Sequence, residues 1–427
     1  MLALLLALQG VVSPQTTDTL PRVTLTEALQ RAARLDPNYV AALGQVDNAV
    51  WARRNAFAVF VLPSVSLALN MQRSNPPGFS VTGGFKTVWI GQLSARYDLF
   101  TGGQKLAELT RSAAALDGAH AGELAQRFAT ALLTESDYYA VLAGNELDRV
   151  ARERLRRAQQ QLAIARARVI SGAAVSTDSL NLRLEFTRAQ VGQLEQASTL
   201  RLARLELGRR VGLDGPADAA PLDTVPAPEL PLPLAEAIAQ AAVQGPQYRI
   251  AAANERAARA SYRSQLGGYL PRATLTFGAT AFDTVFFPNL FKQTTFGLSV
   301  SVPLWDNGQR ELALSRARVS RDVARALRED MDRAVLHDVT AAYDAYVVAR
   351  ATTALASEGV LVARESFRVQ QNRYSAGATT ILDLLEAQVN LSEAEAALVQ
   401  ARYGTRLALA GLEAILGRRL FTDKGTP

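Results

Sequence analysis

The sequence predicts a mainly α-helical protein that also contributes strands to a membrane β-barrel. Three observations predict this fold class. The 427-residue chain is two copies of one unit, four short segments alternate apolar and polar side chains, and each unit holds a proline-free stretch of nearly seventy residues. The predicted order within each unit is therefore helix, strand, strand, very long helix, helix.

The duplication is visible as motifs that recur in the same order. Residues Leu25–Pro63 align with Leu234–Pro271, which pairs prolines near both ends of the segment. Later in each copy, the pattern R-x3-G-x5-D-x-L occurs at Arg168–Leu180 and at Arg373–Leu385. A motif that occurs twice in the same setting indicates a duplicated fold.

These repeats divide the chain. We predict a first repeat at 21–212 and a second at 234–421. Between them, 213–233 is rich in proline, which cannot continue a helix, and is predicted to be an extended linker. Residues 1–17 are predicted to be a signal peptide because Leu2–Leu8 forms a short apolar core, although the basic segment that usually precedes such a core is absent.

Four segments alternate apolar and polar residues with a period of two, at about 62–72, 87–100, 270–282 and 294–304. Membrane-spanning barrel strands need this alternation over about ten residues. A half-buried sheet packed on helices would give the same pattern, and it remains the alternative. Because the smallest single-chain barrels have about eight strands, a barrel built from these four must be shared between chains.

A glycine precedes each long helix, and the two junctions resemble each other. Leu99–Thr110 reads LFTGGQKLAELT and Leu304–Ser315 reads LWDNGQRELALS, so Gly103 corresponds to Gly308. The first stretch superficially resembles a phosphate-binding loop, but its spacing does not fit G-x4-G-K-[ST]. The recurrence predicts strand–helix junctions at Gly103 and Gly308.

Helices of unusual length follow these junctions. The segments at about 103–170 and 308–375 would each extend roughly 100 Å at 1.5 Å per residue. The shorter helices Asn38–Val61 and Val175–Gly212, laid end to end, nearly match one long helix. These matching lengths favour the wall of a long tube, in which each long helix lies beside two shorter helices stacked end to end. An antiparallel coiled-coil protein is the alternative.

Composition argues against several functions. The chain has no cysteine, and its two histidines, His120 and His337, do not correspond between the repeats. We therefore expect no metal site and no cofactor. No Ser/His/Asp arrangement is visible, so we expect no enzyme activity. Basic residues form no dense block with interleaved aromatic residues, so we expect no nucleic-acid partner.

Taken in order, the two units, the Gly-Gln junctions and the repeated tip motif resemble the TolC-like outer-membrane efflux proteins, over about Pro21 to Phe421. The resemblance implies a homotrimer in the outer membrane. Twelve strands would form one β-barrel facing outer-membrane lipid, continued by a twelve-helix α-barrel that forms a periplasmic tunnel. It further implies a passive export duct of a tripartite efflux or type I secretion system. The duct would dock onto a periplasmic adaptor (a membrane fusion protein) and an inner-membrane pump of the RND, ABC or MFS type.

The same resemblance implies roles for residues at the helical tips. Asp383 falls on an acidic position of the family's periplasmic constriction, and Glu386 falls on its partner, where the family has aspartate. Asp178 and Tyr374 fall on positions of the hydrogen-bonded latch that closes the tip, whereas Thr379 stands where TolC itself has the latch arginine. The tip turns at Gly172 and Gly377 are where an adaptor would dock.

The physical chemistry of the acidic residues leaves two interpretations open. Asp383 and Glu386 are three residues apart and share one face of a helix, so three chains would bring six carboxylates together. Their repulsion would raise some pKa values and favour cations. Alternatively, Asp178 and Asp383 only stabilise the first turn of a helix, where negative charge favours the helix dipole.

At the level of function, the alternative to a duct is a non-channel structural spacer of the cell envelope, built on a long coiled coil. Duct and spacer differ in whether the alternating strands face lipid.

Overall fold

The chain was analysed as a computed structural model that describes residues 20–74, 86–172, 175–222, 228–283 and 291–421. The predicted signal peptide at 1–17 lies outside these residues. The described chain is mainly helical, as predicted. Within the described ranges, none of the helices combines the length and the apolar character that a membrane crossing requires.

Both repeats follow the order of two helices, two strands, a very long helix and a further helix. The first contains α1 (Leu25–Leu35), α2 (Pro37–Val61), β2 (Ser64–Ser74), β3 (Lys86–Phe100), α3 (Gln104–Ile170) and α4 (Ser176–Arg210), preceded by β1 (Arg22–Val23). The second contains α5 (Leu234–Gln244), α6 (Pro246–Leu266), β5 (Arg272–Asp283), β6 (Phe291–Ser301), α7 (Gln309–Ser375) and α8 (Ile381–Leu416), preceded by β4 (Asp218–Ala219).

Side-chain caps and prolines set where the first helices begin. The Thr24 hydroxyl accepts a hydrogen bond from the amide of Glu27 at 3.3 Å, which caps α1. Asp36 ends α1 and caps α2, because its Oδ1 accepts from the amides of Asn38 (2.8 Å) and Tyr39 (3.1 Å). Proline is tolerated at the first position of α2, where its missing amide would have had no intrahelical partner.

The four long strands form one antiparallel sheet in the order β2-β3-β5-β6. Within this sheet β2 and β6 are the edge strands, each paired on one side only. Strand β6 ends at Ser301, earlier than the predicted 294–304, because Pro303 has no amide proton to continue the ladder. The sheet therefore has two open edges.

One face of this sheet is apolar and uncovered. The side chains of Leu67, Leu69, Leu298 and Val300 are each more than 60% exposed. Over the described residues, no helix shields these side chains. The alternative of an ordinary sheet packed on helices is therefore wrong for this face.

The long helices α3 and α7 are 67 residues each, or about 100 Å at 1.5 Å per residue. Helix α4 packs along α3, α8 packs along α7, and α6 lies between α3 and α7 near the sheet. Apolar side chains cluster at two heights, around Tyr138 and Leu207 midway along α3 and around Leu162 and Leu384 at the far ends of the helices.

The segment between the repeats is fastened to both long helices. Strand β4 pairs in parallel with β1, joining Val23 to Ala219. The Tyr138 hydroxyl on α3 donates to the carbonyl of Ala220 at 2.7 Å, and the Tyr346 hydroxyl on α7 donates to that of Pro228 at 2.6 Å. Sequence analysis predicted an extended linker and missed these two strands, because two-residue strands carry no periodic signal.

Candidate functional site

The helical tips, residues 168–178 and 373–386, contain most of the residues that sequence analysis selected. Each tip turn has a glycine in the left-handed region, with φ of +75° at both Gly172 and Gly377. That conformation costs other L-residues about 1–2 kcal/mol. The amide of Gly172 donates to the carbonyl of Val169 at 3.1 Å, and that of Gly377 to the carbonyl of Tyr374 at 3.0 Å. Both glycines are exposed, so a partner could reach them.

Asp383 caps the helix that follows the second tip turn. Its Oδ2 accepts hydrogen bonds from the hydroxyls of Thr379 and Thr380, each at 2.7 Å, and from the amide of Thr380 at 3.0 Å. The amide of Asp383 donates back to the Thr380 hydroxyl at 3.3 Å, which completes a capping box. These bonds, chiefly the one from Thr379, lower the pKa of Asp383 below its usual value. The capping interpretation of Asp383 therefore holds within one chain.

Glu386 lies on the exposed side of α8 and forms no ion pair with any described residue. Leu382, one turn earlier, is 64% exposed, whereas Leu384 and Leu391 on the opposite side are buried against the other tip helices. Asp383 lies at the margin of this exposed side and is half-buried. The structure thus places Asp383 and Glu386 within one turn, with Glu386 fully available to face a neighbouring chain or a channel.

Tyr374 is buried between the two repeats, with 8% of its surface exposed. Its hydroxyl has no hydrogen-bond partner among the described residues, so Asp178 and Tyr374 are not hydrogen-bonded in this structure. Burial raises the pKa of the Tyr374 hydroxyl, and the negative charge of Asp178 raises it further, whereas Arg168 lowers it. The predicted latch pair is therefore within electrostatic reach but not joined.

Arg168 makes a polar contact between the two tips, and sequence analysis assigned it no role. Its Nη1 donates to the carbonyl of Tyr374 at 2.9 Å, and its guanidinium carbon lies 5.1 Å from the centre of the Tyr374 ring. Arg373, its counterpart in the second repeat, instead donates to the carbonyl of Ala378 within its own turn at 3.4 Å. The only sequence signal for this contact was that each repeated tip motif begins with an arginine.

The glycines at the strand–helix junctions serve to start the long helices. Gly103 and Gly308 are the N-cap residues of α3 and α7, with φ of +82° and +78°. The side chain of the basic residue two positions after each glycine then donates a hydrogen bond to a backbone carbonyl at or just beyond the end of the preceding strand. Lys105 Nζ donates to the carbonyl of Asp98 at 2.6 Å, and Arg310 Nη1 donates to that of Pro303 at 2.9 Å.

These equivalent bonds explain why both junctions carry a basic residue, because its charged group binds a backbone carbonyl of the chain that leads into the helix. Throughout the ranges that the structure describes, no group of three His, Asp or Glu side chains is arranged to hold a metal ion.

The sequence matches the family model described as outer membrane efflux protein over residues 28–213 and 237–418. It is 30% identical to the protein CyaE of Bordetella pertussis over 198 aligned residues. This alignment covers 46% of this chain and 41% of that protein. It is 24% identical over 173 residues to the outer membrane protein TolC of Escherichia coli, covering 38% of this chain and 35% of that protein. The alignments span less than half the length of these curated relatives.

Solved structures match over more of the chain. The outer membrane protein VceC of Vibrio cholerae has a TM-score of 0.78 at 17% identity, covering 93% of this chain and 97% of that one. The outer membrane channel CmeC of Campylobacter jejuni has a TM-score of 0.81 at 14% identity, covering 93% and 87%. At these identities the likeness concerns the fold, and it extends over both repeats.

Proposed function

We propose, because this chain belongs to the outer membrane efflux protein family, that it acts as a passive export duct of the outer membrane. Family membership confirms the resemblance drawn from the motifs and places the chain in the outer membrane. The duct would belong to a tripartite efflux or type I secretion system. In that setting, an inner-membrane pump of the RND, ABC or MFS type would supply the energy and select the cargo.

The uncovered apolar face of the sheet is the observation that carries this proposal. Exposed to water, the apolar side chains at both edges of this face, Leu67 and Leu69 on β2 and Leu298 and Val300 on β6, would promote aggregation, as would the two open strand edges. A closed barrel in lipid removes both problems at once, because the edges pair and the apolar face meets hydrocarbon. Three copies would supply twelve strands, and the long helices would continue the barrel as a periplasmic tunnel.

At the far end of the tunnel, we propose that the tips close the duct and bind the adaptor. The tip turns at the exposed residues Gly172 and Gly377 are the proposed docking points for adaptor hairpins. Asp383 and Glu386 of three copies would form the constriction, where six carboxylates in a ring would favour cations. Asp178 and Tyr374 are the proposed latch, and Arg168 supports it by holding Tyr374 in place.

A pair of arginine substitutions on adjacent residues of β6 tests the proposal. Leu298→Arg puts a charge on the apolar face, which costs about 2–4 kcal/mol near the middle of a bilayer. Ser299→Arg is the matched control, because its side chain points to the opposite, lumen-facing side. We expect Leu298→Arg to abolish assembly in outer-membrane fractions and Ser299→Arg to preserve it. Equal assembly of both variants would contradict the lipid-facing sheet and favour the structural spacer.

A further inference from the structure

Two basic residues mark one border of the uncovered apolar face of the sheet. Side chains two residues apart along a strand share a face, so Arg73 lies on the same face as Leu69 of β2. By the same count, Lys292 lies on the same face as Leu298 of β6. Both basic side chains are exposed. The surface proposed to meet lipid therefore carries two positive charges.

The two basic residues lie equally far from the helical ends of their strands. Arg73 is nine residues after Ser64, where β2 begins, and Lys292 is nine residues before Ser301, where β6 ends. Nine residues of strand extend about 30 Å, which a strand tilt of about 40° reduces to about 23 Å along the barrel axis. Because the apolar band of a membrane barrel is about 25 Å tall, both residues lie at its border with the polar region.

A tryptophan supports this position of the border. Trp89 of β3 lies opposite Met71 of β2, two residues before Arg73 on the same face. Tryptophan is enriched where the hydrocarbon of a membrane meets water, because its ring is apolar and its indole N–H is polar. The row from Leu69 through Met71 to Arg73 therefore passes from the apolar band into the headgroup region.

The opposite border of the same face is different. It adjoins the junctions to α3 and α7, and its side chains include Val65 and Val300, both exposed and apolar. The basic residues of the junctions, Lys105 and Arg310, are bound to backbone carbonyls of their own chain. If the long helices extend into the periplasm, as proposed, the border that carries the two charges lies in the outer leaflet.

The net charge at this outer border is positive. Lys292 faces Ala281 across the strand pair and forms no ion pair with any residue that the structure describes. Asp283, opposite Trp89, is the one acidic residue that the described parts of the four strands place on this face. Two basic residues and one acidic residue leave one positive charge per copy, which a ring of copies repeats around the barrel.

Phosphate is the membrane anion that this pair of basic residues suits. The planar guanidinium of arginine donates two parallel hydrogen bonds to a phosphate, and the ammonium of lysine binds phosphate as a point charge. The outer leaflet of an outer membrane is rich in glycolipids whose phosphates lie close to the acyl chains. A glycolipid with its acyl chains on the apolar face puts those phosphates at the depth of Arg73 and Lys292.

We propose that Arg73 and Lys292 bind the phosphate groups of an anionic glycolipid of the outer leaflet, whose acyl chains pack against the rows of Leu69 and Leu298. This inference rests on the proposed duct, because only a sheet embedded in the membrane brings its outer border to lipid phosphates. Basic clusters beside a membrane attract anionic headgroups in the same way. Bound glycolipid would fix the depth of the barrel in the bilayer.

Lipid binding to the purified oligomer tests this site. The probe is a diphosphorylated glucosamine-disaccharide lipid, titrated against the oligomer in uncharged detergent and counted per oligomer by native mass spectrometry. The test variant is Arg73→Gln/Lys292→Gln. The matched control is Arg96→Gln/Arg272→Gln, which removes two exposed positive charges from the opposite face of the same sheet. Assembly of each oligomer is measured in parallel.

We expect the wild-type protein and the control to bind the phosphorylated lipid equally. The apparent affinity of the test variant should fall about tenfold, because each basic residue near a membrane surface adds to the attraction of anionic headgroups. Phosphatidylcholine, which has no net charge, should bind all three proteins equally weakly. Inorganic phosphate in excess should displace little of the glycolipid, because it lacks the acyl chains that pack on the apolar face.

Equal affinity of the test and control variants for the phosphorylated lipid would overturn the site and leave the duct proposal standing. Full displacement of the lipid by inorganic phosphate would also overturn it, because the two residues would then bind a free anion. Failure of the wild-type oligomer to insert into lipid vesicles would instead overturn the duct, and this inference with it.

Discussion

Arg168 of the first repeat binds the backbone of Tyr374 in the second, donating to its carbonyl at 2.9 Å while stacking 5.1 Å from the centre of its ring. A charge-assisted hydrogen bond and a cation–π contact thus join the two tips within one chain. The hydroxyl of Tyr374 meanwhile remains without a partner among the described residues. In this structure Arg168, rather than a hydrogen bond between Tyr374 and Asp178, makes the polar contact with Tyr374 across the two repeats, beside the apolar cluster around Leu162 and Leu384.

Replacing Arg168 should therefore loosen the tip. We expect Arg168→Ala to lose about 1.5–3 kcal/mol of interaction at each tip and to open the duct more often. Arg168→Lys keeps the positive charge but lacks the planar guanidinium group, so we expect an open probability between those of the wild-type protein and Arg168→Ala. Arg166→Ala, an exposed neighbour on the same helix, is the control. Single-channel open probability is the measurement, and an unchanged value in Arg168→Ala would remove this residue from the closing mechanism.

Block by divalent cations should depend on the carboxylates of α8. We expect Glu386→Gln to weaken block by cations added from the periplasmic side, and Asp383→Asn/Glu386→Gln to weaken it further. Amides are preferable to alanine here because Asp383 also caps α8. Glu393→Gln, an exposed carboxylate two turns further along the helix, should leave block unchanged. Undiminished block in the double variant would exclude the acidic constriction.

The cap at Asp383 should fail in acid. Hydrogen bonds from Thr379 and Thr380 lower the pKa of Asp383 in the folded chain below its usual value near 3.8. A carboxyl group with a lowered pKa stabilises the fold fully above its usual pKa, and that contribution is lost as pH falls through the lowered value.

We therefore expect amide hydrogen exchange at residues 379–386, corrected for intrinsic rates, to accelerate below about pH 4. Asp383→Asn should abolish most of this dependence on pH. Exchange that accelerates equally in the variant would assign the acid sensitivity to other groups.

Arg419 should matter for stability because it neutralises two buried carboxylates. It binds Glu135 at 2.5 Å and Glu413 at 2.7 Å, and these carboxylates are almost fully buried. Removing one partner of a buried ion pair costs about 3–5 kcal/mol, and the partial exposure of Arg419 reduces our expectation for Arg419→Ala to about 2 kcal/mol.

This loss should grow with pH. Burial raises the pKa of Glu135, and the charge of Arg419 opposes this rise. Without Arg419, Glu135 would therefore keep its proton in the folded chain at a pH where the unfolded chain has released it. Folding would then require proton uptake, which becomes more costly as pH rises. Thermal unfolding at pH 5 and pH 8 measures the effect, with Arg418→Ala as the exposed control. An equal loss at both pH values would show that Arg419 contributes packing rather than charge.

Periodicity and repetition were enough to predict the large elements from sequence. The long helices carry no proline, and the strands alternate over ten residues, so each has a strong local signal. The end of β6 was misplaced because alternation continues through Val302 and Leu304, while pairing stops before Pro303. The alternation of apolar and polar residues indicates which way the side chains point, but it does not show where backbone amides are available for strand pairing.

Contacts between distant segments were harder to predict. Arg168 and Tyr374 are far apart in sequence, and which of two equivalent arginines crosses to the other repeat depends on packing rather than on the motif. The role of Asp383 was left between a cap and a constriction because both need a carboxylate at the start of a helix. Only the positions of the Thr379 and Thr380 hydroxyls decide that it caps α8 within one chain.

The central claim, that copies of this chain enclose a passage across the outer membrane, is tested most directly by single-channel conductance of the purified oligomer in a planar bilayer. The account predicts a stable, cation-selective conductance that falls when divalent cations are added on the periplasmic side and rises in Arg168→Ala. Folded, inserted oligomers that conduct no ions, either as the wild-type protein or as Arg168→Ala and Asp383→Asn/Glu386→Gln, would contradict it.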